Sequence, residues 1–534
     1  MLNSSSSLSL NLISLLDNCK SMFHLKQIHA LVFALGLSQD DICLSKILSF
    51  SSLSDSGNNV LYSSCVLYSL SNPTIFNWNT VIRGYSKTRN PNGSLSVYIH
   101  MLRAGVSPHH LTFPFLARAS ARLFNPHLGM SIHAHIAKFG FHSDLFISNS
   151  LVHMYSSFRD ISHARKVFDG MPLKNLVSWN SMVDAYAKCG YMVFARQVFD
   201  SMPEKDVLSW TCLIDGYVKN VNYGDAMSVF ENMRTSGPRP NEVTLVSVLC
   251  ACAHLGSLDK GRMMHQYVIH NKLPLTLVLR TSLVDMYAKC GAIHEALNVF
   301  RGMPKETGDV LIWNAMIGGL ANHGLIRETL DLFLEMNTVG VKPDEITYLS
   351  LLSACAHGGF VKEAWDFFDC LGRHGMSPKI EHYACMIDVM ARSGQIAEAY
   401  RFLCEAPIEP SASMLGALLS GCINHGKLDV AEIIGKRLIE LEPRHDGRYV
   451  GLSNAYAIVR RWEEARSTRQ AMERIGVKKS PGYSIVEMNG GIDRFIAQDK
   501  SHPKWKEIYM MLSLVVSQMK HIVNYEDEEL MLWL

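Results

Sequence analysis

From Leu176 the chain reads LVSWNSMVDAYAKCGYMVFARQVFDSMP. Trp179, Met182, Val183 and Tyr186 recur at i, i+3, i+4 and i+7, which is one stripe of an α-helix, and Gly190 ends it. A second stripe, Ala195, Val198, Phe199 and Met202, follows at the same spacing and stops at Pro203. The pattern predicts two short antiparallel helices joined by a Gly-containing turn. It recurs from Leu145, Leu277 and Val310, and no strand pattern competes with it.

A two-helix unit of about 35 residues cannot bury both apolar stripes within itself, so it must stack on its neighbours. The expected architecture is therefore a solenoid with a long inner groove as its working surface. Units are expected at 42–74, 75–109, 110–144, 145–175, 176–206, 207–241, 242–276, 277–309, 310–344, 345–379 and 380–411, with a partial one near 9–41. Their lengths alternate between 35 and 31 to 33 residues. A tetratricopeptide array would hold 34 and carry a W-x-x-L-G pattern, which is missing.

Charge changes this picture little: 51 Lys+Arg against 49 Asp+Glu leave +2, so any nucleic-acid binding must come from local arrangement. Thirteen Cys with no C-x-x-C argue against a disulfide scaffold and a zinc ribbon and for a reducing compartment. The longest uncharged stretch, Ser56 to Ile82, is rich in Ser and Asn and contains Pro73, so no membrane span and no membrane partner are expected. The N-terminus, MLNSSSSLSLNLISLL, is Ser-rich and acid-poor but has no base before Lys20, half of a targeting signal, with residues 1–8 as the candidate segment.

The motifs VSWNSMVDAYAKCG, FDSMPEKD, IWNAMIGGLANHG and VKPDEITYLSLLSACAHGG resemble those of the plant pentatricopeptide repeat proteins, specifically the class whose P, L and S repeats differ in length. The resemblance spans nearly the whole chain. It makes the expected fold all-α, a right-handed superhelical solenoid of two-helix repeats over 9–411 with a short β-hairpin near the C-terminus. It also implies single-stranded RNA of a mitochondrion or chloroplast as the partner, and no cofactor.

In the helix from Leu176, Asn180 sits about 100° around from Trp179, off the buried stripe, where a short amide can reach a ligand. Equivalent positions hold Asn79, Asn149, Thr211, Thr281 and Asn314. The last residue of a unit is often polar too: Asn175, Asp206, Asn241, Asp309 and Asp344. Such residues near helix starts also serve as caps that satisfy backbone N–H groups, and the pattern alone leaves both roles open. The resemblance implies that they read bases, one nucleotide per repeat through two side chains. By that code Asn149 with Asn175 suggests a pyrimidine, Asn180 with Asp206 U over C, Thr211 with Asn241 A, Thr281 with Asp309 G, and Asn314 with Asp344 U. Asn79 with His109, Pro114 with Asp144, Val246 with Thr276, Leu349 with Lys379 and Ala384 with Ser411 are atypical pairs. The array would favour 5'-Y-Y-A-N-G-U-3'.

Residues 412–480 resemble the family's E-type extension, and PGYSIVEMNGGIDRFIAQDKSHP within 481–534 resembles its PG box, although Ile485 stands where an aromatic is usual. Alternating apolar residues around Asn489-Gly490-Gly491 predict a hairpin there. Editing members continue into a cytidine-deaminase-like domain that needs H-x-E and C-x-x-C for its zinc. Neither pattern occurs in this sequence, so no catalysis in cis is expected, and the extension would recruit a deaminase-bearing protein or editing accessory factor. The function implied is site recognition for C-to-U RNA editing. A splicing, stability or cleavage factor and a helical scaffold for proteins stay as alternatives. His133 and His135, at i, i+2 on a helix, point apart and make a poor metal pair; Cys250 and Cys252 share that defect. Cys189 and Cys290 recur in A-K-C-G and read as packing residues.

Overall fold

The computed structural model describes residues 12–54, 59–236, 238–303, 309–488, 491–496 and 499–523. The candidate targeting segment 1–8 lies outside them. The chain divides into two compact units, Met1–Ala251 and Cys252–Leu534. In each, helices follow one another as hairpins, with contacts running from helix to following helix and from each leading helix to the next leading helix.

In the first unit the leading helices of successive hairpins are Asp41–Leu53, Ile75–Lys87, Thr112–Arg122, Leu145–Ser157, Leu176–Lys188 and Val207–Lys219. In the second they include Leu277–Lys289, Val310–Asn322, Glu345–Gly358 and Ile380–Arg392. The starts have a local cause. Asp144, Asn175, Asp206, Thr276 and Asp344 sit at N-cap positions and accept a hydrogen bond from the backbone N–H three residues on. The helix expected from 42 begins one residue earlier, at Asp41, because Asp40 caps it.

The alternating repeat length resides in the second helix. It is 9 residues in Ile161–Asp169, Met192–Asp200 and Ile293–Arg301, and 13 or 14 in Tyr223–Ser236, Leu258–His270 and Ile326–Val339. The difference is about one helical turn. Between the helices Gly190 and Gly291 take φ of +83° and +85°, a left-handed turn that a side chain would strain.

Met182, Val183, Tyr186, Ala195, Val198, Phe199 and Met202 are buried as the stripes require. Trp179 departs from the expected stripe: it is half-buried, and its ring meets the edge of Phe168 from the preceding helix at 5.1 Å between centroids. The same contact joins Phe199 to Trp210 and Phe300 to Trp313, both at 4.9 Å, so the Trp serves the junction between repeats. Successive leading helices also approach very closely. A Cβ on Gly216 would lie 2.8 Å from the Ala187 Cβ, and one on Gly421 would lie 2.5 Å from the Ala391 Cβ.

Beyond residue 411 the hairpins Ala412–Asn424 with Leu428–Leu441 and Asp446–Ile458 with Trp462–Arg474 continue the second unit. Strands Tyr483–Met488 and Gly491–Ile496 then pair antiparallel with Tyr483 opposite Ile496, which is the expected hairpin; its Asn489-Gly490 turn lies outside the described residues. Helix Trp505–Val523 follows. Among the described residues no helix is long and apolar enough to cross a membrane.

Candidate nucleic-acid interface

With the first residue of each repeat as position 1, which from 75 onwards is also the first helical residue except in the repeat from 110, where the helix starts at Thr112, the residues singled out above fall at position 5, in the second turn, and at the last position of the repeat. Position 5 is more enclosed than its sequence suggests: Asn79, Asn149, Thr211 and Asn314 are only 6–9 % exposed, and Asn180 is half-buried. A buried amide needs partners. The Asn79, Asn149 and Asn180 Oδ1 atoms have none among the described residues, so polar capacity is left over at this position.

In two repeats position 5 bonds the last residue of the same repeat directly, and in others it turns elsewhere. Asn314 Nδ2 donates to Asp344 Oδ1 at 2.9 Å, and Asn180 lies close enough to the Asp206 carboxylate to favour its charged form. Asn79 Nδ2 lies 3.3 Å from His109 Nδ1. Thr211 and Asn241 are bridged by Thr244, whose Oγ1 is 2.7 Å from Thr211 Oγ1 and donates to Asn241 Oδ1 at 2.8 Å. Thr281 turns its hydroxyl to Leu277 O at 2.8 Å, and Asp309 is exposed and makes no capping bond. The structure does not join Asn149 to Asn175 by a hydrogen bond; Asn175 Oδ1 accepts from Ser178 N and Oγ.

Capping does not exhaust the polar groups of the last residues. Asp206 Oδ1 accepts both Ser209 N–H and Oγ–H at 2.8 Å, and Asp344 Oδ1 accepts Thr347 N–H at 2.9 Å. A carboxylate has two oxygens and roughly four acceptor sites, so the capping bonds leave each with acceptor capacity. Burial alone would raise the Asp344 carboxyl; the hydrogen bonds from Thr347 and Asn314 outweigh it and hold the group below the ordinary 3.8. Asp206 is lowered by the same balance against burial, through Ser209 and Asn180.

Two further rows accompany the pairs, and sequence reasoning had passed over both. At position 2, Phe76, Phe146, Val177, Leu208 and Val243 in the first unit, and Val278, Leu311 and Ile346 in the second, are 53–59 % exposed. An apolar residue beside a buried stripe reads as part of it; the signal was one apolar residue per repeat, always out of phase with the core. At positions 9 and 13, one and two steps of four beyond position 5 and so on its face of the helix, Asp184 pairs with Lys188, Asp215 with Lys219 and Asp285 with Lys289, at 2.6–2.8 Å. Asp184, Lys188, Asp215 and Lys219 line a cleft of about 410 Å³.

The other chemical candidates resolve into packing. His133 Nδ1 lies 2.8 Å from Tyr155 Oη, and His135 Nδ1 lies 3.1 Å from Tyr98 Oη, so the two rings serve opposite neighbours. Cys189 is half-buried rather than fully enclosed, and burial pushes its thiol up. Among the described residues no three His, Cys, Asp or Glu gather as a metal site.

Comparison with known proteins bears on what such an array is. The PPR repeat model matches residues 76–106, 146–176, 177–207, 278–307 and 346–376, the PPR repeat family model matches 205–254 and 308–357, and the E motif model matches 425–487. The chain is 60% identical over 531 residues to the pentatricopeptide repeat-containing protein At5g08305 of Arabidopsis thaliana, covering 99% of each. Two other relatives from that plant are named as mitochondrial, 35% identical over 95% of this chain and 90% of the relative, and chloroplastic, 37% identical over 96% and 92%. The crystal structure of the pentatricopeptide repeat protein PPR10 from maize shares the fold, with a TM-score of 0.54 at 19% identity over 84% of this chain and 71% of that one. The chain belongs to the pentatricopeptide repeat family and carries its E motif.

Proposed function

We propose that this protein binds single-stranded RNA in a plant organelle, one nucleotide per repeat, and marks a site for C-to-U editing. One observation carries the reading. In repeat after repeat a polar pair at position 5 and the last position keeps hydrogen-bonding capacity to spare, beside an exposed apolar side chain at position 2, and the pair changes identity from one repeat to the next. An apolar residue receives the face of any base, whereas donors and acceptors read its edge. Lys188, Lys219 and Lys289 on the same helices supply cations for phosphates, and their Asp partners temper that charge, in keeping with a net charge of only +2. The relatives named as mitochondrial and chloroplastic support an organelle as the place of action.

The base-reading residues are Asn79, Asn149, Asn175, Asn180, Asp206, Thr211, Asn241, Thr281, Asp309, Asn314 and Asp344, and the favoured sequence is 5'-Y-Y-A-N-G-U-3'. At ~1 kcal/mol of discrimination per readable pair, five pairs give a preference on the order of 10³ to 10⁴. That suffices for a small organelle transcriptome. The edited C then lies four nucleotides 3' of the base under the repeat from 380, which is six beyond the U read by Asn314 and Asp344. Residues 412–534, with the E motif, recruit the deaminase in trans.

Selection of the full chain against a random single-stranded RNA pool at near-physiological salt tests this reading. Enrichment of Y-Y-A-N-G-U, with affinity falling linearly in log–log against salt, is the expected result. A folded, helical protein that enriches nothing refutes it.

A further inference from the structure

The polar pairs do not act alone: the hydroxyl at position 3 of the following leading helix bonds the last residue of the repeat, and in two repeats it reaches both members of the pair. Thr347 Oγ1 is 2.6 Å from Asn314 Oδ1 and 3.0 Å from Asp344 Oδ1, and it accepts the Asp344 N–H at 3.0 Å. Thr244 joins Thr211 to Asn241 in the same way. Ser209 holds Asp206, beside which Asn180 sits, and Ser178 holds Asn175. Ser178, Ser209, Thr244 and Thr347 are all completely buried, so their hydroxyls have only these partners to serve.

The composition of position 3 follows that of the preceding position 5. Asn79 is followed by Thr112, Asn149 by Ser178 and Asn314 by Thr347, whereas Pro114 is followed by Ile147 and Ala384 by Met414. Two repeats break the rule informatively. Leu349 is followed by His382, whose Nε2 turns to Glu345 O at 2.9 Å instead. Thr281 is followed by Ile312, which offers no hydroxyl, and in that repeat Asp309 is the exposed, uncapped carboxylate.

We propose that, where it carries a hydroxyl, the residue at position 3 of a leading helix is a positioning residue for the pair before it, and thereby a determinant of base specificity. The inference rests on the base-reading function above. Thr347 shows the mechanism. Asn314 accepts from Thr347 through Oδ1 and donates to Asp344 through Nδ2; turned over, the amide would set its oxygen against the acceptor-only carboxylate, so Asp344 fixes the sense of the amide while the Thr347 hydroxyl, in reach of both side chains, fixes their relative position. The hydroxyl thus holds amide and carboxylate in one arrangement towards the nucleotide, and the one Asp344 oxygen held by the cap leaves the other for the base. Where Ile312 replaces the hydroxyl, the Asp309 carboxylate is free to rotate and reads less sharply.

The test measures binding of the full chain to RNA oligonucleotides that differ at a single nucleotide, with far-ultraviolet circular dichroism as a check on folding. Thr347→Val keeps the shape and removes the hydroxyl; Thr347→Ser restores it. Thr347→Val should reduce the preference for U at the nucleotide read by Asn314 and Asp344 by about fivefold, leave the nucleotide read by Asn180 and Asp206 unchanged, and be rescued in Thr347→Ser. Ile312→Thr should sharpen the preference for G at the nucleotide read by Thr281 and Asp309. Discrimination by the wild type that survives Thr347→Val intact overturns the inference, as does an equal loss at every nucleotide. A wild type that discriminates nowhere overturns the base-reading function itself and takes this inference with it.

Discussion

At the scale of the residue, each polar pair is a compromise between capping a helix and facing outwards, and protonation tests the balance. The hydrogen bonds that hold the Asp344 carboxyl below 3.8 favour its charged form in the folded state. Its contribution to stability is therefore complete above the ordinary carboxylate range and is lost as pH falls through its own, lower value. Asp344→Asn should be less stable than the wild type in denaturant at neutral pH, with the gap constant down to about pH 5 and closing below about pH 4. Cysteine chemistry is set by burial in the same way. Enclosure pushes the Cys355 and Cys422 thiols up to about 12, whereas Cys65 and Cys404 are exposed. Alkylation at pH 7.5 followed by peptide mapping should label Cys65 and Cys404 in the native protein, and Cys355 and Cys422 only after unfolding.

At the scale of the element, the leading helices were legible because their caps and stripes are local. Asn175 and Asp206 stand just before an apolar period of 3.6, and Gly190 stands just after it. The burial of Trp179 was misjudged because the phase of the stripe is set by Met182, Val183 and Tyr186, which leaves the Trp at its margin for the neighbouring Phe168. Of the site, positions 5 and last could be picked out as polar interruptions. Ser178, Ser209, Thr244 and Thr347 could not, since three residues after a cap they spell an ordinary capping signature, and the second partner of Thr244 and Thr347 lies about 30 residues upstream. Helix spacing depends on smaller features still. With 2.5 Å to the Ala391 Cβ and 2.9 Å to the Ala391 carbonyl, Gly421 has no room for a methyl group. Gly421→Ala should cost about 1–3 kcal/mol of unfolding free energy, measured by urea titration, while Gly224→Ala, with nothing within 4 Å of its added Cβ, should cost almost nothing.

At the scale of the whole molecule, each of the two units holds together through neighbours in sequence. Such arrays are stabilised by nearest-neighbour terms and open locally. Gly421→Ala should therefore raise hydrogen exchange in 380–441 while leaving 145–206 at wild-type rates, as mass spectrometry of peptides can show; a uniform rise would point to one cooperative block. The fold class was legible from repetition alone, because a unit that cannot bury its own stripes leaves stacking as the remaining solution. What the array binds was not legible from repetition, since the distinguishing residues are single polar side chains on an otherwise shared scaffold.

The hydrogen bond from Thr347 to Asn314 crosses a repeat boundary, and this limits how the array can be re-engineered. A cassette cut at the boundary before Glu345 would graft Asn314 and Asp344 into a new host without the hydroxyl that orients them. Moving the cut to follow Thr347 would carry the three side chains together, so the transferable module is offset by three residues from the repeat that the sequence displays.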